Sequence, residues 1–309
     1  MRVLDISREF YKEFGLPMLE REFSDKIDRM AIGLVGHGSE SFGYDDEISR
    51  DHDIEPGFCI WLTDEDEREF GFKLFRAYSK LPKEYMGLKC AVKSALGSGI
   101  RGVHTISGFY SQYTGRAGAP QSWRDWLYTP SYYLAEATNG EIFYDGLGEF
   151  SKIREDIKYG MPEDVRLKKI ASCALKMAQS GQYNFKRCIS HGEEGAARLA
   201  LDEFARRCAE IVFLIEKRHM PYYKWVFRSM KELPTLGGLS EKLEDLLLIP
   251  QDETLKIELA IEELSSIVIA NLRTQKITDA TCDYLENHAY SINDKIIDPE
   301  IRNLHVLLQ

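Results

Sequence analysis

The chain has 309 residues, 44% hydrophobic and 29% charged, with a formal net charge of −10. That length suffices for one large domain or two ordinary ones, and the composition is ordinary for a soluble globular protein. The acidic balance argues against broad polyanion binding, since nucleic-acid proteins usually carry a basic excess, but it leaves room for a local basic pocket.

In chain order, the first ~30 residues carry Phe10, Phe14, Leu19 and Phe23 at helical spacing. Met30 to Gly36 and Phe58 to Leu62 are short apolar runs expected to be buried strands. Thr63 to Lys80 opens with acids and continues with Phe70, Leu74, Phe75 and Tyr78, which predicts an amphipathic helix. Val103 to Tyr110 is expected to be a third strand. Glu141 to Asp145 follows as a fourth, led by an Asn139-Gly140 turn.

Beyond about Phe150 the strand signals stop. Pro162, the acids after it and Gly181 punctuate a helix. Further helices are expected over 193–218, 222–232, 239–248, 254–272 and 279–307. The stripe Ile257, Leu259, Ile261, Leu264, Ile267, Ile269 and Leu272 is expected to face a core or a partner. The composition shift at Tyr159–Pro162 sets the expected domains at 1–158 and 159–309. The fold class is therefore α+β, a small mixed sheet with helices followed by an all-α bundle.

Six cysteines (Cys59, Cys90, Cys173, Cys188, Cys208 and Cys282) form no C-x-x-C pair, and no signal peptide precedes them. They are expected to be reduced thiols of a cytoplasmic protein. No apolar run approaches the ~20 residues that span a bilayer, so no membrane partner is expected.

The chemistry concentrates in GLVGHGSESFGYDDEISRDHDIEPGF, Gly33 to Phe58, with five glycines and seven carboxylates. Asp51 and Asp53 are two apart, so in an extended segment both carboxylates project to one side. Such a pair suits Mg²⁺, which takes one or two protein carboxylates and fills its octahedron with phosphate oxygens and water. Upstream, Gly38 permits close approach of a phosphate, and Ser39 is placed to begin a helix whose free N–H groups face it. Neither G-x-G-x-x-G nor G-K-[ST] is present, so dinucleotide and P-loop readings are poor.

The order VGHGS, eleven residues, then DHDI resembles the signature of the DNA polymerase β-like nucleotidyltransferase superfamily. The wording of that stretch, with AQSGQYN and PYYKW far downstream, is similar to a bacterial branch of it. The two-part architecture is similar to that of antibiotic nucleotidyltransferases. The resemblance implies a polymerase β-like catalytic domain followed by a helical substrate-binding domain. It implies that Gly38 and Ser39 hold the triphosphate of an NTP, ATP first among them, and that Asp51 and Asp53 hold one or two Mg²⁺ ions.

Two departures stand out. Pro56-Gly57 interrupts the strand after Asp53, where a bulge or turn is expected. The superfamily also supplies a third carboxylate from a later central strand, and Val103–Tyr110 has none. Asp46 or Glu47 in the loop, with Glu47 favoured, or Glu141 or Asp145 on the fourth strand are the candidates to replace it. From Tyr85 to Arg124 there is no Asp or Glu, while Lys89, Lys93, Arg101, Arg116 and Arg124 fall in that window. They make either an electropositive wall for phosphate or ordinary exposed surface.

In the helical region Tyr183, Asn184, Lys186 and Arg187, and then Tyr222, Tyr223, Lys224 and Trp225, can grip a base or sugar by stacking and charge, or simply fill and edge the bundle. Tyr183, Asn184, Arg187 and Lys224 are the candidate ligand-binding residues. The expected activity is Mg²⁺-dependent transfer of a nucleoside monophosphate to a hydroxyl of a small molecule. The alternatives are a nucleotide-binding regulator with little catalysis, and a toxin-like enzyme modifying a protein or tRNA. Other nucleic acid is not expected as a partner.

Overall fold

The computed structural model describes residues 2–45, 55–90 and 101–307. The chain divides into two compact units, one of Met1–Gln121 with Tyr133–Gly160, the other of Ser122–Tyr132 with Met161–Gln309. The expected α+β domain and helical region are both present.

The first unit is organised around a four-stranded sheet. Its strands are β1 (Ala31–Leu34), β2 (Cys59–Leu62), β5 (Gly102–Thr105) and β6 (Glu141–Asp145), in the order β5-β2-β1-β6. Between β2 and β5 lies a small separate hairpin of β3 (Glu84–Tyr85) and β4 (Leu88–Lys89), which the sequence did not announce. β1 is antiparallel to β2 and β6, whereas β2 is parallel to β5. β2 is buried throughout, as a central strand covered on both faces must be. On one face Ile60 and Leu62 join a cluster with Phe10, Leu19, Phe23, Phe70 and Leu74. On the other, Trp61 stacks on Phe150 at 4.2 Å and meets Phe109 edge-on at 5.3 Å.

The amino-terminal helical stretch runs Val3–Phe10, widens through Tyr11–Gly15 and continues over Leu16–Glu22. The expected third strand is shorter than its apolar run. It stops at Thr105, whose side chain accepts the N–H of Gly108 at 3.0 Å and so caps a helix, Ile106–Thr114. The interruption at Pro56-Gly57 falls before β2 rather than within it, because residues 55–58 are irregular and the ladder starts at Cys59. The bulge in the sheet lies instead between β1 and β6, at Ile32/Gly33.

In the second unit the helix Glu163–Met177 does not stop at Gly181. It loosens into a wider turn over Ala178–Phe185 and continues as Lys186–Ser190. Gly181 is there for proximity: a Cβ on it would stand 2.3 Å from the Phe204 ring of the helix Glu194–Ile215. The expected last helix is broken into Leu285–Asp294 and Pro299–Arg302, because Asp298 accepts from the N–H groups of Glu300 and Ile301 and Pro299 starts a new turn. Beneath that break the buried Lys168 ammonium donates to Asn293 Oδ1 and to the carbonyls of Arg302 and Leu304. Burial lowers its pKa to about 8. The helix Thr254–Thr274 buries Ile257, Ile261, Leu264, Ile269 and Leu272. Leu259, expected in the same stripe, is 62% exposed, since it lies across the helix from those positions. A helix the sequence did not mark, Trp123–Tyr128, opens on a Ser122/Asp125 capping box and stacks Trp126 on His219. No helix among the described residues is long and apolar enough to cross a membrane.

Gly181→Ala therefore meets a ring with no room to swing, since Phe204 is fully buried. The overlap outweighs the helix-propensity gain, and we expect a net loss of ~1–3 kcal/mol in urea unfolding. The loss should shrink in a Phe204→Leu background, where the obstructing ring is gone.

Candidate functional site

The Gly36–Ser39 loop leaves β1 through the buried Val35. Gly36 and Gly38 have φ values of 114° and 115°, a region that L side chains rarely adopt. Ser39 does begin a helix, but it is one turn long, Ser39–Phe42, and Gly43 closes it in the left-handed region. A single turn accumulates little dipole.

Asn139 fixes the loop from the side. Its Oδ1 accepts the Gly36 N–H at 2.8 Å and its Nδ2 donates to the Gly36 carbonyl at 2.7 Å. Asn139 and Gly140 form the expected turn before β6, and Asn139 has a second role there. It sits between the helix Ser131–Thr138 and β6, and its carboxamide acts as a splint. One Arg154 nitrogen donates to the carbonyls of Thr138, Asn139 and Gly140, gathering the turn from behind. Gly140 must be small, because a Cβ there would lie 2.0 Å from the Leu34 carbonyl oxygen.

Charged groups flank the loop. His37 Nδ1 lies 3.4 Å from Glu136 Oε1, with the imidazole 73% exposed and the carboxylate side chain only 10% exposed. Burial raises the Glu136 pKa, while attraction to His37 opposes the rise. The Tyr113 hydroxyl lies where a side chain on Gly36 would be, and burial pushes its pKa up. Further along, Glu40 Oε1 accepts from Arg101 Nη2 at 2.7 Å.

Gly38 and Ser39 therefore lie together on a loop that is anchored at Gly36. Asp51, Asp53, Asp46 and Glu47 lie outside the described residues. Their neighbours do not: Asp45 accepts the Val3 N–H at 3.0 Å, and the Gly57 N–H donates to Ser7 Oγ at 3.3 Å. β5 carries no carboxylate; His104 stands on it opposite Trp61, its pKa lowered by burial and by Arg101. The two β6 candidates are already engaged. Glu141 is held by the Arg8 guanidinium through both oxygens, and Asp145 accepts the N–H groups of Gly148 and Ser151. Among the described residues no group of three or more His, Cys, Asp or Glu is placed to hold a metal.

In the helical unit Tyr183 and Asn184 are exposed at the end of the widened turn, and Arg187 donates to the Tyr183 hydroxyl at 3.1 Å. Lys224 is exposed on a short turn beside Tyr222 and Tyr223, whose rings lie 4.4 Å apart. Among the described residues no hydrogen bond, ion pair or ring contact joins these two groups. A cavity of about 780 Å³ on this unit, lined by Asp279, Glu286, Tyr290, Ser291, Asp294 and Lys295, contains none of them.

Glu136, Tyr113 and the splinting role of Asn139 were missed from sequence. Asn139 was visible as half of an Asn-Gly pair. Glu136 had no signal, because it sits in a helix with no strong apolar period and meets His37 across 99 residues of chain.

Residues 126–226 match a family described as "Domain of unknown function (DUF4037)". A solved structure of a nucleotidyltransferase-like protein from Exiguobacterium sibiricum 255-15 is similar at 11% identity and a TM-score of 0.37, covering 91% of this chain and 90% of that one. No curated protein matches.

Asn139→Ala removes both bonds to Gly36 and leaves a backbone N–H and C=O to find new partners. We expect a loss of ~1–3 kcal/mol in denaturant unfolding, together with faster amide hydrogen exchange at Gly36 than in the parent.

Proposed function

We propose that the first unit binds a nucleoside triphosphate, ATP before others, at the Gly36–Ser39 loop and transfers its nucleotidyl group to a hydroxyl acceptor. The observation that carries this is the loop itself: two left-handed glycines and a serine leave a buried strand, and Asn139 anchors the first glycine. In chain order the Asp51/Asp53 pair then precedes β2, which runs antiparallel to that strand.

Mg²⁺ is the metal whose preference for carboxylate and phosphate oxygen matches this donor set, and Asp51 and Asp53 are the residues proposed to hold it. It would supply positive charge against the phosphates. The chain's own residues have the remaining work. Gly38 and Ser39 seat the triphosphate, and the acceptor oxygen bonds to the α-phosphorus as the bond to pyrophosphate breaks. The acceptor's proton needs a nearby base. Among the described carboxylates Glu136 is the one beside the loop with no Arg or Lys pairing it, and its raised pKa suits proton uptake nearer neutrality than an ordinary carboxylate. Glu47 remains the loop candidate for the same role. In the helical unit Tyr183, Asn184, Arg187 and Lys224 offer rings and cations suited to a base or a sugar, and the net charge of −10 favours a small-molecule acceptor over tRNA.

A second reading, a nucleotide-binding regulator without transfer, is favoured by the absence of a carboxylate on β5. Cytoplasmic residence accords with either reading.

Two variants test the proposal. Asp53→Asn should abolish the Mg²⁺-dependent part of ATP binding in calorimetry; parent-like binding removes the metal assignment. Glu136→Gln should keep ATP affinity while pyrophosphate release, assayed with pools of acceptors, falls by about 10²-fold or more. Tight ATP binding by the parent with no pyrophosphate release from any pool selects the regulator.

A further inference from the structure

Arg101 stands immediately before β5, and its side chain is 4% exposed. A guanidinium is always charged and carries five N–H donors on three nitrogens. Only Nη2 is engaged here, by one oxygen of Glu40; Nε and Nη1 have no hydrogen-bond partner among the described residues. Leaving two donor nitrogens of a buried cation idle is costly, and a single-point contact does not use the fork that makes Arg a two-point binder of phosphate and carboxylate.

The other half of the pair is equally out of the ordinary. Glu40 turns its carboxylate back over Gly38: a Cβ built on that glycine would lie 2.4 Å from Oε2 and 2.6 Å from Oε1. The space that the absence of a side chain opens at Gly38 is thus filled by an anion, and the same anion occupies the one working nitrogen of Arg101. A carboxylate and a phosphate edge present the same feature, two negative oxygens on one centre.

We infer that Arg101 is a phosphate-binding cation of the loop and that Glu40 is a built-in placeholder, which incoming phosphates displace from Gly38 and Arg101. The inference rests on the reading of the loop as a triphosphate site and adds to it the cation that grips and the side chain that must yield. No covalent step is involved. The phosphate takes the vacated Nη2 and one idle nitrogen in two-point fashion, and Glu40 swings to water.

Calorimetry on the full chain separates the possibilities, with ATP, inorganic tripolyphosphate and adenosine as ligands for the parent, E40Q and R101M. Glu40→Gln keeps the shape and removes the competing charge. It should tighten both phosphate ligands by about threefold or more and leave adenosine unchanged. Arg101→Met should weaken both by about tenfold or more. If R101M does not fold, R101K takes its place, since it keeps the charge and loses the fork, and it should also weaken tripolyphosphate. Unchanged or weaker phosphate binding by E40Q, or parent-like binding by the Arg101 variant, overturns the inference while parental ATP binding leaves the triphosphate reading standing. Failure of the parent and of E40Q to bind either ATP or tripolyphosphate overturns both.

Discussion

The close approach of the Thr138–Glu141 backbone to Leu34–Gly36 is the constraint on which the candidate site depends. Gly140 lies so near the Leu34 carbonyl that no side chain fits between them. That closeness brings the Asn139 carboxamide within reach of both polar groups of Gly36, and Arg154 gathers the three carbonyls that would otherwise repel one another at the turn. The result is a loop held in a conformation it would rarely sample alone. A surface held in this way need not be ordered before anything binds to it.

The electrostatics around this loop run against the chain's overall character. A protein with a net charge of −10 places a buried guanidinium at one flank, meeting a carboxylate of the one-turn helix that follows the loop. At the other flank a shielded carboxylate meets an exposed imidazole. Burial makes the Arg101–Glu40 contact stronger than a surface ion pair, because little water intervenes.

Much of the architecture was legible in the sequence because it is written in apolar runs. β1, β2 and β6 are short stretches bounded by glycine or acids, and the helices after Gly160 carry clear apolar periods. β5 was misjudged in length because hydrophobicity continues past Thr105, and a single hydroxyl capping Gly108 decides the end. The helices Trp123–Tyr128 and Ser131–Thr138 were hidden by aromatic, tyrosine-rich sequence with no strong helical stripe. At the site, Gly38, Ser39 and Arg101 each drew notice for local reasons. What could not be read was pairing across the chain: Glu40 with Arg101, His37 with Glu136, Gly36 with Asn139. Each is separated by 61 residues or more, and proximity at that range comes only from the way the sheet and its helices pack.

The first helix has a role beyond packing. The chain touches it at Asp45, through the Val3 N–H, and again at Gly57, through Ser7 Oγ. Val3 and Ser7 are one turn apart on that helix, about 6 Å along its axis. Asp45 and Gly57 are therefore tied to one and the same helix, a single turn apart. The entropy of bringing two such distant positions of a chain together, which grows with the logarithm of their separation, is thus offset by contacts that belong to the first helix.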